Sequence, residues 1–209
     1  VFRKAAERDL YKDEFGNIML PVPMARPLTD FPQMAQWAFC QAIYPGELFA
    51  PDDPILVGTM NNLIDNESEG LVRQTGWHKE GIWNYFGSFY AHDFLWLGNG
   101  EKAARTAYAF ANHASPMLVW REEQSLQHHR NYYNGDMPHN WASAEFIRLM
   151  LHLLVFERGD ELHLLEGLPP TWLKPEAVTS VNKALTRFGE ISLELCVAKD
   201  GRSATLNVT

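Results

Sequence analysis

The segment from Trp141 to Phe156 constrains this chain most. It is apolar nearly all round; only Glu145, Arg148 and His152 interrupt it, and they share one stripe. A helix of that pattern needs cover on most sides, as an inner helix of a layered structure has. Ahead of it the pattern predicts helices over 31–42, 53–64, 82–97 and 101–112. Asp30 can cap the first, Pro32 fits its first turn and Pro45-Gly46 stops it. In the last of these, Ala104, Ala107, Tyr108 and Ala111 recur at i, i+3, i+4 and i+7 on one face. The Gly98-Asn99-Gly100 turn before it makes the two neighbouring helices an antiparallel αα-hairpin. Residues 1–28 read as irregular, and Asp65 to Gly70 as an acidic loop.

Beyond Gly159 the texture changes. Leu162 and Leu164 followed by Gly-Leu-Pro-Pro predict a short exit strand, and residues 175–187 a connector helix. Ile191, Leu193, Leu195 and Val197 then alternate, Asp200-Gly201 turns, and Ala204, Leu206 and Val208 alternate again, which is a hairpin with one buried face. The expected fold is therefore mainly α. Residues 1–158 form part of an α/α toroid of antiparallel helix hairpins, and residues 159–209 form an exit strand, a connector and the start of a β-sandwich-like segment.

Composition narrows the function classes. A hydrophobic fraction of 46% over 209 residues supplies a sizeable core, and a net charge of −8 gives no basic footprint for nucleic acid. No apolar run approaches the roughly 20 residues needed to cross a bilayer, so no membrane partner is expected. The chain starts without Met and reads as beginning mid-protein. Its location stays open, a periplasmic or secreted one included, with any signal outside this segment. Cys40 and Cys196 read as buried thiols. Nucleotide-binding glycine loops, a GxSxG elbow and HExxH are all missing from the sequence. The adjacent His128 and His129 would point apart, so neither a cofactor nor a metal is expected.

What remains is three loops dense in aromatics and carboxylates: Gly76 to Trp83, containing Trp77, His78 and Glu80; Trp120-Arg121-Glu122-Glu123-Gln124; and Tyr132 to Trp141, containing Asp136, His139 and Asn140. All three sit at helix ends. Sugar sites use such parts. A flat aromatic ring covers the apolar face of a pyranose, its polar tip bonds a hydroxyl, and two carboxyls flank the bond to be cut.

The stretch from Gly76 to Leu173 resembles the final hairpins of six-hairpin glycosidases, especially the α-L-rhamnosidase-like group. The residues that carry this are Trp120-Arg121-Glu122, then Gly135 to Phe146, then Leu165-Glu166-Gly167-Leu168-Pro169-Pro170-Thr171-Trp172-Leu173. The resemblance implies an inverting glycoside hydrolase with Glu122 as general base and His139 as a sugar ligand, Asp136 and Trp141 lining the same loop. Arg121 separates Trp120 from the first glutamate, a departure that leaves Glu122 and Glu123 competing for the role. The group's general acid would precede residue 1, with Glu80, Glu67 or Glu69 as substitutes. The site expected is thus Glu122, Glu123 and Glu80 for chemistry, and Trp77, His78, Trp83, Trp120, Asp136, His139, Asn140 and Trp141 for a carbohydrate substrate.

Two other readings stand beside it. A polysaccharide lyase on a similar toroid would use Tyr132, Tyr133, His139, Asn140 and Arg130 to abstract a proton next to a uronate carboxylate. A non-catalytic carbohydrate-binding or scaffold protein would need the aromatics alone. In either toroid reading the open helical edge calls for the remainder of the polypeptide, or self-association, to cover it.

Overall fold

The structure is a computed structural model that describes residues 1–22, 31–75, 81–126 and 135–209. Among these, helix α1 (Phe2–Arg8) leads into a hairpin of β1 (Tyr11–Lys12) and β2 (Ile18–Met19). A 3-10 turn over Pro32–Ala35 opens α2 (Gln36–Ile43), and α3 (Pro54–Asp65) follows, capped by Asp53, whose carboxylate accepts from the Ile55 N–H at 3.0 Å. Next come the hairpin β3 (Glu67–Ser68) and β4 (Leu71–Val72), strand β5 (Gly81–Trp83), and helices α4 (Phe86–Trp96) and α5 (Gly100–Asn112). Strand β6 (Glu123–Ser125) returns to pair with β5 before α6 (Asn140–His152). The hairpin β7 (Val155–Arg158) and β8 (Glu161–Leu164) precedes a sheet of β9 (Val178–Thr186), β10 (Gly189–Val197) and β11 (Ala204–Val208), in spatial order β11-β10-β9.

This is a mixed α/β fold, not a mainly α toroid with one β tail. Among the described residues helix makes up 38% and strand 24%, and the strands form five small antiparallel sheets scattered from the N-terminal to the C-terminal part. The six-hairpin resemblance and the rhamnosidase-like glycosidase family it named are overturned with it, since six helices interleaved with these sheets do not build a twelve-helix ring. The physical reason shows in particular segments. Residues 178–186, expected as a connector helix, pair along β10 from Val178↔Cys196 to Thr186↔Gly189, so β-branched Val178, Thr179, Val181 and Thr186 follow their strand preference. The acidic loop closes as a two-residue hairpin because Glu69 and Gly70 both take positive φ. The N-terminal residues, expected as irregular, hold α1 and the β1–β2 hairpin.

The innermost element is α4, not the segment 141–156. Every residue of Phe86–Trp96 is buried, Ser88, His92 and Asp93 included. Helices α2, α5 and α6 pack against it. Helix α6 is not covered on most sides as expected: Ala142, Glu145 and Leu149 are its buried residues, while Ile147 is 70% exposed. The polar stripe faces inward because it has partners there. The Glu145 Oε2 accepts from the Ser88 hydroxyl at 2.8 Å and from Arg148 at 2.7 Å, which offsets the cost of burying a carboxylate. A second apolar cluster, Leu154, Val155, Ala184, Ile191 and Leu193, lies between the β7–β8 hairpin and the β9–β10–β11 sheet.

One core group is held against its chemistry. Asp93 is fully buried beside the Cys40 thiol and the Tyr44 N–H, which approach without completing a hydrogen bond to either carboxylate oxygen. Burial therefore pushes its carboxyl well above the usual range. The folded state then binds a proton that the unfolded chain, titrating near about pH 4, has released. Stability is lost as pH rises from the unfolded value toward the folded one. Asp93→Asn keeps the shape without that cost, so it raises the melting temperature at pH 7 by a few degrees, roughly 1 kcal/mol moving it about 2–4 °C in a chain of this size. The gain shrinks toward zero near pH 4. Paired thermal melts at the two pH values check this, and a gap that is the same at both removes the assignment.

Candidate functional site

The site grows from one antiparallel pairing. Strand β5 lies on β6 with Gly81 opposite Ser125, Ile82 opposite Gln124 and Trp83 opposite Glu123. Asn84, wholly buried, prolongs it: its backbone N–H donates to the Glu122 carbonyl at 3.2 Å, and its Nδ2 donates to the Arg121 carbonyl at 2.7 Å and to the Gln124 Oε1 at 3.1 Å. On the other flank, the Glu122 N–H donates to the Asp136 carbonyl at 3.1 Å and the His139 N–H to the Trp120 carbonyl at 2.9 Å. The segment 120–124 is thus held on both sides by backbone hydrogen bonds, and α6 starts where this clamp ends.

Gly135 explains how closely the flanks meet. Its φ is +71°, and a Cβ there would lie 2.5 Å from the Glu122 Cβ, 2.7 Å from the Glu123 Oε2 and 2.8 Å from the Glu122 Oε2. Only glycine fits, in conformation and in space. Both glutamates therefore converge on one bare stretch of backbone. Glu123 is buried and Glu122 half-buried, so it is Glu122 that solvent reaches.

Around the carboxylates stands an aromatic wall. Tyr85, at the head of α4, stacks on Trp141 (ring centroids 4.6 Å apart, interplanar angle 26°) and lies 5.1 Å from the His139 ring. Burial, and then the negative charges of Glu122 and Glu123, push the Tyr85 hydroxyl upward, so it keeps its proton as a donor. The His139 Nδ1 meets the Asp136 Oδ1 at 2.8 Å, and this hydrogen bond holds the exposed Asp136 carboxyl below its ordinary value. The Trp141 Nε1 donates to the Glu145 Oε1 at 3.2 Å, which fixes the indole from below. A buried chain runs on from Glu145 through Ser88 to His92 and then His152 (Nε2 to Nδ1, 2.9 Å). Burial lowers both imidazoles, that of His152 to about 4, so the pair is neutral at ordinary pH.

The expected residues separate into groups. Glu122, Glu123, Asp136, His139 and Trp141 come together, and Asn140 is the exposed first residue of α6. Trp83 and Trp120 are core residues, 4% and 5% exposed, and the Trp120 indole N–H is spent on the Phe110 carbonyl at 2.8 Å. Glu67 accepts from the Tyr90 hydroxyl and pairs with Lys102; Glu69 pairs with His113 at 3.1 Å. Trp77, His78 and Glu80 lie outside the described residues, as do Arg130, Tyr132, Tyr133 and the His128-His129 pair. Sequence reasoning missed Asn84, Tyr85 and Trp37. The Asn84-Tyr85 pair directly before the apolar run of α4 was the one available signal.

One ligand atom each from Glu122, Asp136 and His139 lies within 4.8 Å of the others, a set with which a divalent cation is compatible. The His139–Asp136 hydrogen bond already accounts for that closeness on one side. Comparison with known proteins gives no match to a family model, a curated protein or a solved structure.

Proposed function

We propose that this chain hydrolyses a glycoside, with Glu122 as the base that activates the attacking water. The observation that carries the reading is Glu122 itself: a half-buried carboxylate, pinned through its backbone on both sides, beside the Tyr85–His139–Trp141 wall. Trp141, backed by the buried Tyr85, supplies the flat apolar surface for a pyranose ring, and His139, Asp136 and Asn140 supply polar groups to orient its hydroxyls. Asp136 does not complete an inverting pair, because its ligand oxygen lies within 4.8 Å of that of Glu122, whereas inversion sets the carboxyls about 6.5–9.5 Å apart to admit water. The acid that protonates the leaving oxygen therefore has to come from another position.

The test is a panel of aryl glycosides and oligosaccharides, read by released aglycone and new reducing ends. Cleavage of one sugar class with release of a reducing sugar supports hydrolysis. A new ultraviolet absorbance from an unsaturated uronate without water uptake would replace it with elimination. Binding with no turnover on any substrate would leave a carbohydrate-binding protein and remove the catalytic reading.

A further inference from the structure

The aromatic surface does not end at Trp141. Trp37, on α2, meets the Trp141 ring edge-on at 5.6 Å and 80°, and contacts Phe86 of the buried helix at 5.9 Å. Both indoles are open to solvent, Trp37 by 44% and Trp141 by 41%. Two large rings set at right angles and left in water form a corner with two flat walls. The corner is rigid. Gln36, next to Trp37, is buried and donates to the Phe86 carbonyl at 3.3 Å, and Trp141 is tied to Glu145. The two polar tips differ. The Trp141 N–H is spent on Glu145, whereas the Trp37 N–H has no hydrogen-bond partner among the described residues and stays available to a ligand.

We infer that Trp37 and Trp141 form a second sugar-stacking subsite contiguous with the Glu122 site, so that the ligand is an oligosaccharide rather than a single sugar. This rests on the glycoside reading above. The continuity is physical: Trp141 stacks on the buried Tyr85, and the Tyr85 ring lies tilted 5.1 Å from His139, so an unbroken line of ring contacts links the Asp136–His139 pair to Trp141 and Trp37. A pyranose seated near Glu122 would place its neighbour in the chain over the corner. There an indole face covers the apolar side of the ring, and the Trp37 N–H is left for a hydroxyl. A purely apolar occupant would waste that donor.

The experiment titrates the wild type, Trp37→Ala, Trp37→Tyr and Trp141→Ala with methyl monosaccharides and the matching tetrasaccharides of xylose, glucose, mannose and galactose, by calorimetry. In one sugar series the wild type binds the tetrasaccharide at least about tenfold more tightly than the monosaccharide. Trp37→Ala abolishes that gain while leaving monosaccharide affinity unchanged; Trp37→Tyr, which keeps a ring and a polar tip, retains part of it. Thermal melts establish that each variant is folded. If monosaccharides bind but chain length adds nothing, or Trp37→Ala leaves the ratio intact, the subsite is refuted and the glycoside reading stands. If no saccharide of the panel binds the wild type, both fall. If Trp37→Ala changes only the association state on size exclusion, the corner covers protein and the subsite is refuted.

Discussion

Glu122→Gln lowers glycoside turnover by about two to four orders of magnitude, the range a positioned general base supplies, with little change in ground-state binding. The amide keeps the shape packed against Gly135 and disturbs neither of the backbone hydrogen bonds that pin residue 122, so the loss is chemical rather than structural. Glu123→Gln behaves differently. Glu123 is 1% exposed, so its substitution alters packing and the field at Tyr85 before it alters proton transfer, and turnover falls less. Measuring kcat and KM for both variants on whichever glycoside the panel identifies separates the two. Near wild-type turnover in Glu122→Gln ends its role as base, and the reverse ranking moves that role to Glu123.

How far the sequence reaches depends on the distance over which each signal acts. Helix α5 was legible because its information is local: Asn99 caps it, its side chain accepting from the Lys102 N–H at 3.1 Å, and the alanine stripe follows. The β10–β11 pairing was legible for the same reason, alternation on either side of Asp200-Gly201, but the expected buried face is found on β10 alone, since every residue of β11 is exposed. The β5–β6 pairing was not. It joins Gly81–Trp83 to Glu123–Ser125 across two intervening helices, and three residues of strand carry no periodicity that stands out from a loop. The inward turn of α6 was not legible either, because hydropathy alone sends Glu145 outward; Ser88, which lies 57 residues away in the chain and donates to it, is found only in three dimensions. The candidate site shows the same division. Its carboxylates, His139 and Trp141 stood in recognisable loops, whereas Asn84, which clamps the loop, was marked only by its place before the apolar run of α4, and Trp37, which extends the wall, had no marker beyond its residue type.

Gly58→Ala gives the second large effect, and two opposing magnitudes decide its sign. Gly58 sits in the middle of α3, where alanine is favoured over glycine by about 0.8–1.0 kcal/mol on helix propensity alone. Yet a Cβ at that position would lie 1.8 Å from the Ile18 carbonyl oxygen and 2.8 Å from the Ile18 carbonyl carbon. Both are backbone atoms of β2, so no side-chain rotation relieves the overlap and helix and hairpin must separate. Separation strains the polar seam between them: the Leu20 N–H to the Thr59 hydroxyl at 3.0 Å, the Asn62 Nδ2 to the Asp13 Oδ2 at 2.8 Å, and the Asn17 Nδ2 to the Asp65 Oδ2 at 3.0 Å. Each hydrogen bond is worth about 0.5–1.5 kcal/mol, and a buried partner left unsatisfied costs about 1–3 kcal/mol more. Thr59, Asn62 and Asp13 are all buried, so the loss exceeds the propensity gain. The net destabilisation is about 2–4 kcal/mol, a fall in melting temperature of roughly 5–15 °C. A Gly58→Ala protein that melts at or above the wild-type temperature would show that α3 does not lie against β2 at this point. Asn62→Ala separates the two contributions, because it removes one bond of the seam without introducing a clash and so lowers the melting temperature by less than Gly58→Ala does.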